Sequence, residues 1–352
     1  MVSIGSEKHP DSLTYWVQKY RELAVNGIRG EAVGKKIALH LDRFVSFFKD
    51  IYGHDRISTC LRRDALTWQT ALSKHYAAST VNNHMASVSG FTTWVHTHHP
   101  SLFPAGDPMK GIGELPLPPL EPRTLTDRQV ASLKNLCDRL ESFYQLKGKR
   151  WTASDRETPL HAHTRPLRDR AIVFVLLSTG LRREELIQLD LEQLKPDNAP
   201  ALLKARKAQI LKVRGKGRTE RTVFLSADAR GALAGYLEEE RWQDAEPEMN
   251  ALFLSAAGIP ARSSDGRLSP RSINRILDRI GRLHDAEHKD SSRHISPLRP
   301  HDLRHTFAFR LAQITGADTY ELERRLGHRS QRYIQRYTNP PEHVAATYVE
   351  TF

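Results

Sequence analysis

The chain has 352 residues, with 53 lysines and arginines against 41 aspartates and glutamates, a formal net charge of +12 and 39% hydrophobic residues. That length suits two domains of roughly 100–200 residues each. The longest apolar run, 171–177, is far short of the ~18 residues of a membrane span. The N-terminal MVSIGSEKHPDS shows no signal peptide, and Cys60 and Cys137 are too few and too distant for a disulfide framework or a zinc cluster.

In chain order, residues 1–115 predict a small helical domain. Ile37, Leu41, Phe44, Val45 and Phe48 form one apolar stripe at helical spacing, and Val81, Met85, Val88 and Val95 form another. The stretch 104–122 carries six prolines and three glycines, which reads as an extended connector holding the domain boundary; the linker is placed at 116–123 and the second domain at 124–352. Thr126 with Gln129 predicts a capping box opening a helix through Val130, Leu133, Leu136 and Leu140. The polar stretch 147–166 reads as a surface loop. A buried helix over 167–179 is stopped by Gly180, and a short helix runs on to about Gln188. Segments 208–213 and 219–225 alternate as two strands joined at Gly215-Lys216-Gly217. Helices are expected over 269–283 and 302–314, with a helical C-terminal segment. The fold class is therefore α+β, mostly helical, with a small antiparallel sheet in the second domain.

Cut near residue 120, the chain carries net +3 before and +9 after. Residues 204–221 hold eight basic residues with Glu220 alone acidic, and residues 293–336 hold nine arginines and no lysine. Guanidinium groups grip a phosphate as planar forks, whereas a lysine is a mobile point charge. The charge points to a polyanion, with nucleic acid first; a solvated basic face making surface ion pairs is the competing reading.

Within the second domain, Arg182 stands in TGLRREEL, Lys216 in the GKG turn, His301 and Arg304 in HDLRH, His328 in LGH and Tyr337 in RYTNP. Attack on a phosphodiester builds negative charge on the nonbridging oxygens, and fixed cations can meet it. A tyrosine can be the nucleophile if neighbouring cations stabilise its phenolate, and a lysine can protonate the leaving oxygen. His301 and His305, four apart with Asp302 between, also imitate a zinc-binding helix. Against that reading, Asp is shorter than Glu, no third ligand is evident, and Arg304 would set a cation beside the metal.

TGLRREEL, VRGKGRTERTVFL, PHDLRHTFA and LGH followed nine residues later by tyrosine, in this order, resemble the tyrosine recombinases of the phage-integrase family. The resemblance runs from about residue 13 to the C-terminus. It implies an N-terminal helical core-binding (SAM-like) domain and a C-terminal catalytic domain forming a clamp around a duplex. It further implies that Arg182 and Arg304 hold the scissile phosphate with His301 assisting, that Glu185 orders the site, and that Lys216 is the general acid. His328 would hydrogen-bond a nonbridging oxygen, and Tyr337, rather than Tyr333, would form a 3′-phosphotyrosyl link. No cofactor and no metal are implied. The implied partners are double-stranded DNA with specific recombination sites, a homo-tetramer on paired sites and accessory DNA-bending proteins, in the cytoplasm with the nucleoid and with no membrane. A type IB topoisomerase or telomere resolvase would share these residues, and a catalytically silent DNA-binding protein would share the fold.

Overall fold

The computed structural model describes residues 10–117, 122–144, 163–215, 219–260 and 262–327. Contacts divide the chain into two compact units, Met1–Leu120 and Glu121–Phe352. In the first unit, α1 (Leu13–Tyr20), α2 (Glu31–Tyr52), α3 (Arg62–Ser73) and α4 (Ala78–His98) surround one apolar core. The predicted stripes face it: Leu41, Phe44, Val45 and Phe48 of α2 meet Val81, Met85, Val88 and Val95 of α4. Phe44 stands edge-on to Trp68 of α3 at 4.9 Å between centroids. His40 of α2 and His84 of α4 are also buried, with their rings stacked at 3.8 Å.

The proline- and glycine-rich stretch is not an extended connector over its first half. Phe103 and Met109 are buried in the first core, and Ile112 and Leu115 pack against it. Asn82 exchanges two hydrogen bonds with the Leu115 backbone, both 2.9 Å, and Gln69 donates to the Gly113 carbonyl at 3.1 Å. Proline removes backbone donors, but here side chains of α3 and α4 satisfy the carbonyls that a free connector would leave to water.

In the second unit, α5 (Asp127–Asp138) opens with the expected capping box: Thr126 Oγ1 accepts from the Gln129 N–H at 3.2 Å, and Gln129 Oε1 accepts from the Thr126 N–H at 3.0 Å. The central helix is α6 (Pro166–Thr179), buried from Ala171 to Leu176. It packs against α5, the sheet, α9 (Ala227–Gly235) and α11 (Pro300–Thr315), which is why its apolar residues run on without a stripe. The polar loop reading of 147–166 lies outside the described residues as far as 162, and its end is not a solvated loop. Arg165 is buried and makes a bidentate pair with Asp244, both bonds 2.7 Å, while Glu240 accepts from the Leu167 and Arg168 N–H groups at the start of α6.

Then follow α7 (Arg183–Ile187), β1 (Leu194–Lys195), α8 (Ala199–Lys204), β2 (Ala208–Arg214) and β3 (Glu220–Leu225), the strands forming one antiparallel sheet in the order β1-β2-β3. The register shifts between Ile210 and Val213, so β2 carries a bulge, with Lys212 at a φ of +50°. The Gln193 amide donates to the Leu211 and Lys212 carbonyls, both at 2.9 Å, and so satisfies the bulge. Helix α10 (Pro270–Ala286) buries Ile273, Ile276, Leu277, Ile280 and Leu283. Helix α12 (Thr319–Leu326) follows α11 and packs on it through Leu322 and Leu326. Among the described residues no helix is long and apolar enough to cross a membrane.

Candidate active site

Helix α6 stops because Gly180 takes a left-handed φ of +61°, a conformation that a side chain resists. The reversal buries Leu181 and brings Arg182 to the N-cap of α7. Glu185, one turn on, reaches back: its Oε2 accepts from the Arg182 N–H and its Oε1 from Arg182 Nη1, both at 2.8 Å. The carboxylate therefore caps the helix and orients the arginine at once.

Two further arginines arrive from distant elements. Arg304, buried on α11, donates from Nη1 to the Gly180 carbonyl at 2.5 Å and stands 4.0 Å from Glu185 Oε2. Arg221 of β3 takes both Glu185 oxygens, Nη1 to Oε1 at 3.0 Å and Nη2 to Oε2 at 2.6 Å. The same three arginines also hold the end of α12. Arg221 Nε donates to the Arg325 carbonyl at 3.0 Å, Arg304 Nη2 to that of Leu326 at 2.8 Å, and Arg182 Nη2 to that of Gly327 at 3.3 Å. These consecutive carbonyls form the partly negative end of the helix, which ends at Gly327 with a φ of +64°.

Burial works to raise the Glu185 pKa, but the bonds from Arg221 and Arg182 outweigh it and hold the carboxyl below its ordinary range. His301, second residue of α11, is pushed below the usual imidazole value by lost hydration and by Arg304 and Arg183, so near neutral pH it is an uncharged hydrogen-bonding group. It lines a cleft of about 280 Å³ together with Arg183, Asn274 and Arg299. Asp302, whose Oδ2 accepts from the Arg299 N–H at 2.9 Å, has its pKa raised by burial.

Of the residues singled out in the sequence, the structure brings Arg182, Glu185 and Arg304 together and sets His301 on the first turn of the helix that carries Arg304. Lys216, His328 and Tyr337 lie outside the described residues, as does Tyr333. The strands on either side of Lys216 are joined at their ends, with the Gly215 N–H donating to the Thr219 carbonyl at 2.7 Å. His301 and His305 have ring centroids 6.2 Å apart, and among the described residues no three His, Cys, Asp or Glu side chains gather as a metal site. Sequence reasoning missed Arg221. It stands in the quoted VRGKGRTERTVFL string, but among so many basic residues only the folded contact shows which one meets Glu185.

A profile described as the phage integrase family matches residues 151–343. The chain is 26% identical over 365 residues to tyrosine recombinase XerC of Bifidobacterium longum subsp. infantis, covering 94% of this chain and 92% of that one. It is 34% identical over 183 residues to XerC of Pelobacter propionicus, 52% of this chain and 51% of that one. Two solved structures share its fold at 18% identity. XerH site-specific recombinase in a post-cleavage complex with palindromic difH substrate matches with a TM-score of 0.65 over 93% of this chain and 80% of that one. The Tn1549 transposon integrase in complex with a circular intermediate DNA matches with a TM-score of 0.64 over 97% and 99%. With the family match spanning more than half of its length, the chain belongs to the phage integrase family, the tyrosine recombinases that cleave and rejoin DNA.

Proposed function

We propose that this recombinase breaks a DNA strand at a specific site with Tyr337 as nucleophile and Arg182, Arg304 and His301 around the scissile phosphate. The observation that carries the reading is the convergence of Arg182, Arg221 and Arg304 on the single buried carboxylate of Glu185. Such clustered positive charge is what a phosphodiester needs as its nonbridging oxygens gain charge. Tyr337 Oη forms a bond to phosphorus while the bond to the 5′-oxygen breaks; the phenol gives its proton to solvent water and the leaving oxygen takes one from Lys216. His328 donates to a nonbridging oxygen. The phosphotyrosyl link conserves the bond, so a 5′-hydroxyl from the partner strand reverses the step without a nucleotide cofactor, and the arginines serve where another enzyme uses a metal.

On this reading residues 1–115 and 124–352 are the DNA-binding and catalytic domains joined at 116–123. The partner is duplex DNA, a reading supported by the Tn1549 integrase complex with a circular intermediate DNA; four copies assemble on paired sites, with accessory DNA-bending proteins and in the compartment that holds the DNA. A suicide substrate nicked beside the cleavage site tests it. A denaturation-resistant adduct that forms in excess EDTA, survives Tyr333→Phe and disappears in Tyr337→Phe is expected. An adduct that survives Tyr337→Phe, or one abolished by chelator and restored by zinc, refutes the assignment. Supercoil relaxation without strand exchange would instead favour a topoisomerase.

A further inference from the structure

We infer that Arg221 is a positioning residue for strand cleavage, holding Glu185 and the last turn of α12 in place while Arg182 and Arg304 turn to the scissile phosphate. The inference rests on the roles proposed above for Arg182 and Arg304.

In this structure Glu185 shares its Oε1 between Arg182 and Arg221 and its Oε2 between Arg221 and the Arg182 N–H. A phosphate that draws the Arg182 guanidinium away removes one of those bonds. Glu185 is 5% exposed, and a buried carboxylate stripped of its ion pair is strongly destabilising. Arg221 already spans both oxygens, so the carboxylate stays paired and continues to cap α7. The same guanidinium acts on α12. Two of the three carbonyls at its end accept from Arg304 and Arg182, the groups that the phosphate recruits; the third accepts from Arg221 Nε. That bond holds the helix end from which the chain runs directly to His328. Gly327 permits the approach, since a Cβ there would stand 3.0 Å from Arg221 Nη1. Arg221 also sits on β3, paired with Val213 one step from the end of the hairpin that carries Lys216. One planar fork thus ties the acid's hairpin, the Arg182 cap and the helix before His328 together, a geometry that an ammonium group cannot reproduce.

The test uses the full chain and the nicked suicide substrate. Arg221→Lys should bind DNA within about twofold of wild type yet form the adduct roughly tenfold or more slowly in single turnover, as expected when reacting groups are misplaced. Arg221→Gln adds a pH readout. Among the described residues the charges facing Glu185 are Arg182 at the N-cap of α7, Arg221 on β3 and Arg304 on α11, and loss of the Arg221 charge lets Glu185 protonate at higher pH. The acid limb of the cleavage rate should move upward, and Arg221→Gln with Glu185→Gln should lack that movement, while His301 titrates alike in all. A rate within about twofold of wild type, an affinity loss that matches the rate loss, or an unmoved acid limb overturns the inference. So does loss of the folded state in both single variants, seen by circular dichroism, which would make Arg221 purely structural. Absence of any adduct in the wild-type protein would instead overturn the functional reading and this inference with it.

Discussion

Gly180→Ala measures how tightly the turn that carries Arg182 is built. The glycine sits at a φ of +61°, and an added Cβ would overlap Phe307 Cδ1 and come within 3.0 Å of two further atoms of that ring. Left-handed backbone costs an alanine about 1–2 kcal/mol, and overpacking a filled site about 1–3 kcal/mol more, so the loss should reach about 2–5 kcal/mol. Gly316→Ala is the control: Gly316 ends α11 at a φ of +63° with nothing within 4 Å of its Cβ, so only the backbone term of about 1–2 kcal/mol applies. Urea unfolding of the full chain gives both losses, and hydrogen exchange shows whether the transition that moved belongs to the second unit. Phe307→Ala in the Gly180→Ala background should recover part of the difference, because neighbours that clash are not additive. Cleavage should fall further than stability explains, since the Gly180 carbonyl holds Arg304 and the chain reaches Arg182 two residues later. Equal losses for the two glycines would refute the packing argument.

Acid should weaken the first unit through His40, whose pKa is lowered to about 4 by burial first and then by His84, Lys36 and Arg43. The unfolded chain takes up its proton near the ordinary value of 6.5, so stability is full above that pH and falls as pH drops toward 4; His40→Gln should flatten this dependence in pH-dependent denaturation. Asp244→Ala should cost about 3–5 kcal/mol in thermal or urea unfolding, because it removes the bidentate carboxylate partner of the buried Arg165; a loss no larger than that of a surface substitution would refute the pairing. Lys216→Ala should be largely restored by a substrate with sulfur at the scissile 5′-oxygen, which departs without protonation. Equal defects with oxygen and sulfur would leave Lys216 as a phosphate contact.

What was legible in the sequence is what the chain decides locally. The capping box at Thr126, the glycine stop at residue 180 and the stripes of α2 and α4 each depend on neighbours within a few turns, and each formed as expected. The pairing of β2 with β3 was legible from alternation, but β1 was not, because two residues are too short to alternate. The segment 104–115 was misread because prolines and glycines report missing backbone donors; they do not report that Asn82 and Gln69, far behind in the chain, supply partners for its carbonyls.

The site divides along the same line. Glu185 could be tied to Arg182 because the two lie one helical turn apart, so a carboxylate that caps the helix necessarily meets the arginine at its start. Arg221 reaches Glu185 from 36 positions away, and the bulge between Ile210 and Val213 moves the strand register by one residue. Alternation puts Arg221 on the face of β3 that carries Val223 and Leu225, but only the packing of that face shows that the guanidinium meets Glu185 and not water. The bulge is satisfied by Gln193, which precedes the strand in the chain, accepts from the Asp190 N–H and donates to the strand's backbone carbonyls. Motif spacing ties residues that stand a turn apart; it carries neither the bulge that Gln193 holds in β2 nor the contact that Arg221 of β3 makes with Glu185 across the fold.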